Sequence, residues 1–211
     1  MKIALFGITG RLGSRIGKEA LARGHQVTAV VREPGRLPLS HERLSEVTGD
    51  VCDPATIASA VADHDVVISA IGPSSGADPK MVVEAAHALI EGVTRAGIRR
   101  LIVGGGAGSL EVAPGVQLVD TPDFPKAWLA IAIAHRDALA VYRAAALDWT
   151  YVSPAAFIEP GERTGRYRTG TDQLLTDEKG ESRLSMEDLA VAYLDEVERP
   201  RFVRRRMTVA Y

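Results

Sequence analysis

Met1-Lys-Ile-Ala-Leu-Phe-Gly7-Ile-Thr-Gly10-Arg-Leu-Gly13 decides how the rest of this chain is read. Its apolar start, Ile3–Phe6, has the length and branching of a buried strand, and glycine follows at once. Gly7, Gly10 and Gly13 form a G-x-x-G-x-x-G where that strand would hand over to a helix. In such a turn the first glycine permits a tight bend and the second lets a pyrophosphate approach the backbone. The third lets helix and strand pack closely. Thr9, Arg11 and Leu12 then stand at the helix N-terminus, where free N–H groups and the positive dipole end favour an anion. The apolar run is too short for the core of a secretion signal and lacks its small-residue cleavage pattern.

Outward from that turn, strand-length apolar runs recur at Val27–Val31, Val66–Ile71 and Leu101–Val103. Helical patterns lie between and after them, at Leu12–Arg23, Pro54–Ala62, Pro79–Ala96, Ala127–Leu147 and Met186–Val197. Within the third, Val82, Ala86, Leu89 and Val93 share one face. The alternation predicts an α/β protein with a doubly wound parallel sheet, one domain over residues 1–211, and a small C-terminal extension on the substrate side. Asp53-Pro54 and Asp78-Pro79 set a proline behind a capping carboxylate, and Ser185-Met-Glu-Asp188 is a variant capping box. Gly104–Lys126 is the least regular stretch, and a loop of that length in a compact domain is usually functional.

At 211 residues, with 46% hydrophobic and 25% charged residues, the chain has an ordinary globular balance. Its 25 basic and 27 acidic residues leave a formal charge of −2, which argues against nucleic acid as a partner. No apolar stretch approaches the roughly 20 residues of a membrane span. The single cysteine, Cys52, excludes an internal disulfide and fits a cytoplasmic address. His25, His41, His64, His87 and His135 show no metal-ligand spacing. The expected partner is a small-molecule acceptor, met by a monomer or homodimer.

About 20 residues beyond the glycine turn, an acid at the end of the second strand would read a ribose hydroxyl. Here Val31-Arg32-Glu33 puts a cation in that place, and Arg11 could reach the same group. A guanidinium suits a 2′-phosphate, so NADPH is the expected cofactor and NADH the weaker alternative. The other reading makes Glu33 the ribose ligand and Arg32 a solvated strand end.

The glycine turn, Val30-Val-Arg-Glu33, Gly49-Asp-Val-Cys-Asp-Pro54, Val66-Val-Ile-Ser-Ala-Ile-Gly72 and Leu147-Asp-Trp-Thr-Tyr-Val-Ser-Pro154 together resemble the atypical short-chain dehydrogenases. The chain is most similar to their NmrA-like NAD(P)H-binding group, which includes flavin and biliverdin-IXβ reductases, and the resemblance covers nearly its whole length. It implies a Rossmann-like fold in which Asp50 and Val51 flank the adenine, while Ala70, Ile71 and Gly72 line the adenosine ribose and diphosphate. It also sets Gly104, Gly105 and Gly106 beside the nicotinamide, with Ser153, Pro154 and Ala155 on the far side. Each of these has a plain alternative as a turn or loop residue.

The resembled family's Tyr-x-x-x-Lys pair is missing, since the residues four beyond Tyr142, Tyr151, Tyr167 and Tyr193 are Ala146, Ala155, Thr171 and Val197. Family spacing puts Ile131 at the tyrosine position and His135 at the lysine position. Ordinary carbonyl reduction loses its acid, whereas a conjugated acceptor such as a flavin or quinone spreads the charge it receives. His135 is the candidate catalytic residue, as a donor to the nicotinamide ribose; the other reading is a satisfied core histidine. Phe124, Trp128 and Phe157 are candidates for an aromatic rim around a flat substrate, or else core. Glu159–Arg166 reads either as a substrate-recognition loop or as a surface turn, and Arg201–Arg206 as a solvated basic edge. The missing Tyr–Lys pair is equally compatible with a non-catalytic NAD(P)H sensor. Two decoys remain: Gly72–Gly76 matches G-x-S-x-G but has no oxyanion loop upstream, and Gly13–Glu19 is one residue short of a phosphate loop.

Overall fold

Ile3 and Leu5 pack into one buried cluster and Ala4 and Phe6 into another, so β1 (Lys2–Phe6) is covered on both faces. That is the condition of a central parallel strand. The computed structural model describes residues 1–72 and 78–211 and builds one eight-stranded sheet around it. To one side of β1 lie β2 (Gln26–Val31) and β3 (Leu44–Thr48). On the other come β4 (Val66–Ser69), β5 (Arg100–Gly104), β8 (Asp148–Pro154), β12 (Arg205–Ala210) and β10 (Arg168–Gly170). Within this sheet every pairing among the described residues is parallel except β10 with β12.

α1 (Arg11–Ala22) and α5 (Met186–Glu198) cover one face; α2 (Pro54–Val61), α3 (Met81–Arg95) and α4 (Lys126–Arg143) cover the other. This is the doubly wound, Rossmann-like architecture, and its order reverses beside β1, where the chain leaves toward β2 and returns as β4. A crevice therefore opens at the C-terminal ends of β1 and β4. Two of the expected caps are made: Asp53 Oδ1 accepts from Ala55 N at 2.9 Å, and Ser185 Oγ accepts from Asp188 N at 3.0 Å. Asp78 instead turns the chain by accepting from Lys80 N at 2.9 Å, and α3 starts two residues beyond Pro79.

The boundaries depart from the sequence reading at three places that matter. The last bond between β4 and β1 runs from Ala70 N to Phe6 O at 3.0 Å, so Ala70 and Ile71 leave the strand and enter the crevice loop. α4 stops at Arg143 because Leu147 is drawn into the core at the entry to β8. Gly104–Lys126 carries a short hairpin, β6 (Glu111–Ala113) with β7 (Val116–Gln117), and one 3-10 turn. The C-terminal extension adds β9 (Phe157–Glu159) paired in parallel with β11 (Arg183–Ser185). The basic edge needs a correction too: Arg206 is buried, paired with Asp172 at 2.9 Å and donating to Ser109 O at 2.9 Å. No helix among the described residues is long and apolar enough to cross a membrane. Apart from Gly72, the Gly72–Gly76 motif lies outside the described residues.

Candidate functional site

The three glycines of the first turn meet different demands. Gly7 has φ +84°, and a Cβ there would stand 2.6 Å from Ala70 O. One on Gly13 would stand 2.0 Å from Gly7 O, so helix and strand meet only because nothing intervenes. Gly10 is exposed, and a Cβ on it would meet nothing nearer than Gly7 O at 3.2 Å. Its freedom serves whatever approaches from outside. α1 has no side-chain cap and no acid in its first turn, leaving its N-terminal N–H groups and positive dipole end to an anion. Thr9 and Arg11 are exposed on that approach.

At the ends of β2 and β3, Arg32 is exposed and close enough to Cys52 to lower its thiol pKa, although burial dominates and raises it. Glu33 is paired with Arg36 at 2.8 Å, whereas Arg11 and Arg32 have no carboxylate partner among the described residues. Asp50 already serves its turn by accepting from Cys52 N at 2.9 Å, and Val51 beside it is half-buried.

Along the crevice toward β8 lies a cavity of about 220 Å³ lined by Leu12, Ala70, Ile71, Gly72, Gly104, Gly105, His135, Val152, Pro154, Ile158, Leu189 and Tyr193. Eight of these were singled out in the sequence. Ser153 is buried off the cavity, because alternate residues of a strand face opposite ways, and Ala155, just past the end of β8, is buried in the cluster that holds Val152 and α5. Each glycine of the 104–106 run has a side chain pressed on it. A Cβ would lie 2.9 Å from Tyr193 Oη at Gly104, 2.0 Å from the Tyr151 ring at Gly105, and 3.3 Å from His135 Cβ at Gly106. A larger groove of about 360 Å³ lies at the opposite end of the sheet, around Lys2, Arg43 and His64, and none of the 7–13 or 104–106 glycines lines it.

His135 is partly buried and desolvation pulls its pKa down to about 4, so the imidazole is neutral at pH 7. Tyr151 Oη donates its only proton to the carbonyl of His135 at 2.7 Å. The 3.3 Å contact between that oxygen and Nδ1 is therefore made by Nδ1–H donating, which leaves Nε2 a bare acceptor. In that tautomer the nitrogen His135 leaves free is an acceptor, whereas the sequence reading expects it to donate.

Of the three aromatic candidates, Trp128 and Phe157 come together, edge to face with centroids 6.4 Å apart, and they are 50% and 52% exposed. Trp128 lies two helical turns before His135 on α4, and Phe157 precedes the lining residue Ile158 on β9; neither lines the cavity itself. Phe124 is half-buried and makes no ring contact with them among the described residues. The Glu159–Arg166 loop is strapped to the α1/α5 layer. Arg163 pairs with Glu19 at 2.7 Å, Gly161 N donates to Glu187 at 2.7 Å, and Thr164 Oγ1 and Gly165 N donate to Asp188 at 2.6 and 2.7 Å.

Val152, Ile158, Leu189 and Tyr193 were missed in the sequence. Leu189 and Tyr193 stand four apart on α5, a spacing that marks a buried stripe but not which end of the sheet it reaches.

Residues 7–200 match the profile of a family described as NAD(P)H-binding. The uncharacterized Bacillus subtilis protein YwnB is 39% identical over 213 residues, covering 99% of this chain and 98% of its own. Among solved structures, a candidate exported protein from Burkholderia pseudomallei is 53% identical, with TM-score 0.92 and 100% of both chains covered. A candidate NADH-flavin reductase from Streptococcus pneumoniae is 32% identical, with TM-score 0.88, 100% of this chain and 99% of that one covered.

Proposed function

The chain belongs to the NAD(P)H-binding family, and from that premise we propose that it is an NADPH-dependent reductase passing hydride to a conjugated acceptor such as a flavin or a quinone. The observation that carries this reading is the neutral His135 in the cavity, its Nδ1–H engaged by Tyr151 and its Nε2 left an acceptor, at the position where a proton-relaying lysine would be expected. The cofactor fits the residues present: Gly7 and Gly13 hold a turn that a Cβ would fill, and α1 offers uncapped N–H groups to a diphosphate. Arg11 and Arg32 would hold the 2′-phosphate, with Glu33 engaged by Arg36.

When bound, the reduced dinucleotide supplies the hydride. The chain's own part is to hold the reacting rings against Ile71, Pro154 and the 104–105 glycines, and to offer Trp128 and Phe157 as an edge for a flat acceptor. A flavin or quinone disperses the charge it gains, and water at the cavity mouth supplies the proton. An alkoxide would need a tuned acid, and none of the described residues lining the cavity is one. The reading includes a cytoplasmic setting, in which Cys52 stays a free thiol.

Steady-state oxidation of NADPH with FMN, a small quinone and simple ketones tests the proposal. Turnover with FMN or quinone and none with ketones is expected. Tight NADPH binding with no turnover on any conjugated acceptor would replace the reductase with a dinucleotide sensor.

A further inference from the structure

Two polar atoms of the cavity are left unused by the protein. Tyr193 reaches in from α5, is 1% exposed, and its hydroxyl stops against Gly104 with no hydrogen-bond partner among the described residues. Burial raises the phenol pKa, with no other cause acting on it, so the group stays a proton-bearing donor. The small part of Tyr193 that is exposed borders the cavity, so the hydroxyl is open to a group that enters there. His135 enters from α4, in the opposite layer, and presses on Gly106 with Nε2 free to accept. Both side chains line the one cavity of about 220 Å³, so a small planar group entering it comes between them.

We propose that Tyr193 Oη and His135 Nε2 read the edge of one planar amide or imide, whose oxygen accepts from Tyr193 while its N–H donates to His135. This rests on the dinucleotide reading above and goes beyond it by naming the group recognised. Two ligands carry that edge: the carboxamide of the nicotinamide and the imide of an isoalloxazine. A ketone carbonyl offers only the oxygen, and a quinone likewise. The pair is a positioning device, since neither side chain gives up a proton.

Calorimetry on the full chain tests it, using NADPH, its 3-acetylpyridine analogue, which keeps the oxygen but lacks the N–H, and FMN added to NADP⁺-loaded protein. If the carboxamide is read, Tyr193→Phe weakens NADPH and the analogue each by about 10-fold, the worth of one hydrogen bond. His135→Phe then weakens NADPH alone by about 10-fold, and His135→Gln, which keeps an acceptor, restores it. If the imide is read, both dinucleotide affinities hold and Tyr193→Phe weakens FMN by about 10-fold instead. Tyr193→Phe removes an unpartnered hydroxyl without changing packing, so this arm yields folded protein, as a thermal melt would verify. Unchanged affinity for all three ligands in both Phe variants would overturn the proposal alone. Failure of the wild type to bind NADPH would overturn the dinucleotide reading and the proposal with it.

Discussion

Gly10 and Gly13 sit one helical turn apart and carry opposite obligations. A side chain on Gly10 projects into the approach to α1, whereas one on Gly13 collides with the backbone of Gly7. Gly10→Val is therefore expected to fold with a wild-type circular dichroism spectrum while losing NADPH binding by at least about 100-fold in calorimetry. Gly13→Ala is expected to lose about 3 kcal/mol or more of stability, because a 2.0 Å approach to a carbonyl forces strand and helix apart. His135 makes a second residue-scale prediction. Its imidazole takes a proton near 6.5 in the unfolded chain and only near 4 when folded, so stability is lost as pH falls between those values. At about 1.4 kcal/mol per unit, the ceiling is about 3 kcal/mol. Burial raises Glu187 and Asp188, but their hydrogen bonds outweigh it and hold both below the ordinary carboxylate value, so their contribution is lost at lower pH. Urea midpoints measured against pH should fall from 6.5 to 4 in the wild type and stay level in His135→Phe. Equal slopes would remove His135 from the acid response.

At the scale of elements, α5 ties the C-terminal extension to the sheet through Asp188, which accepts from Thr164, Gly165 and Tyr211. Asp188→Ala leaves three donors without their acceptor and should cost about 2–4 kcal/mol. Limited trypsin digestion should then cut first at Arg163 or Arg166; a wild-type cleavage pattern would show that the strap is held otherwise. β1, α1 and the turn between them could be read from residues 1–13 because every local preference there agrees, with branched apolar residues, then glycines, then helix formers. β9, β10 and β11 could not, since each has three residues, too few for a period-2 signal, and is fixed by partners far along the chain. The glycine run at 104–106 stands out in the sequence, but not for its physical reason. That reason lies in Tyr151, His135 and Tyr193, which come from three other elements.

Across the whole molecule, the reversal of strand order beside β1 lays the cofactor-facing groups along one crevice, from Arg32 beyond β2 to Pro154 at the end of β8. The two ends do separate work. On the proposed reading Arg32 would set which dinucleotide binds, and the His135 cavity what is reduced. NADPH should bind about 10- to 100-fold more tightly than NADH, and Arg32→Glu should abolish or reverse that preference without altering acceptor choice. Equal affinities in the wild type would contradict the assignment of Arg32. The central claim is hydride transfer to a conjugated acceptor without an acid from the protein. Anaerobic single-turnover mixing of NADPH-loaded protein with FMN, repeated with nicotinamide deuterated at C4, tests it most directly. The account predicts that nicotinamide oxidation and FMN bleaching share one rate, slowed by the deuterium and little changed in His135→Phe. FMN left oxidised, or a ketone reduced faster than FMN with that rate lost in His135→Phe, would contradict it.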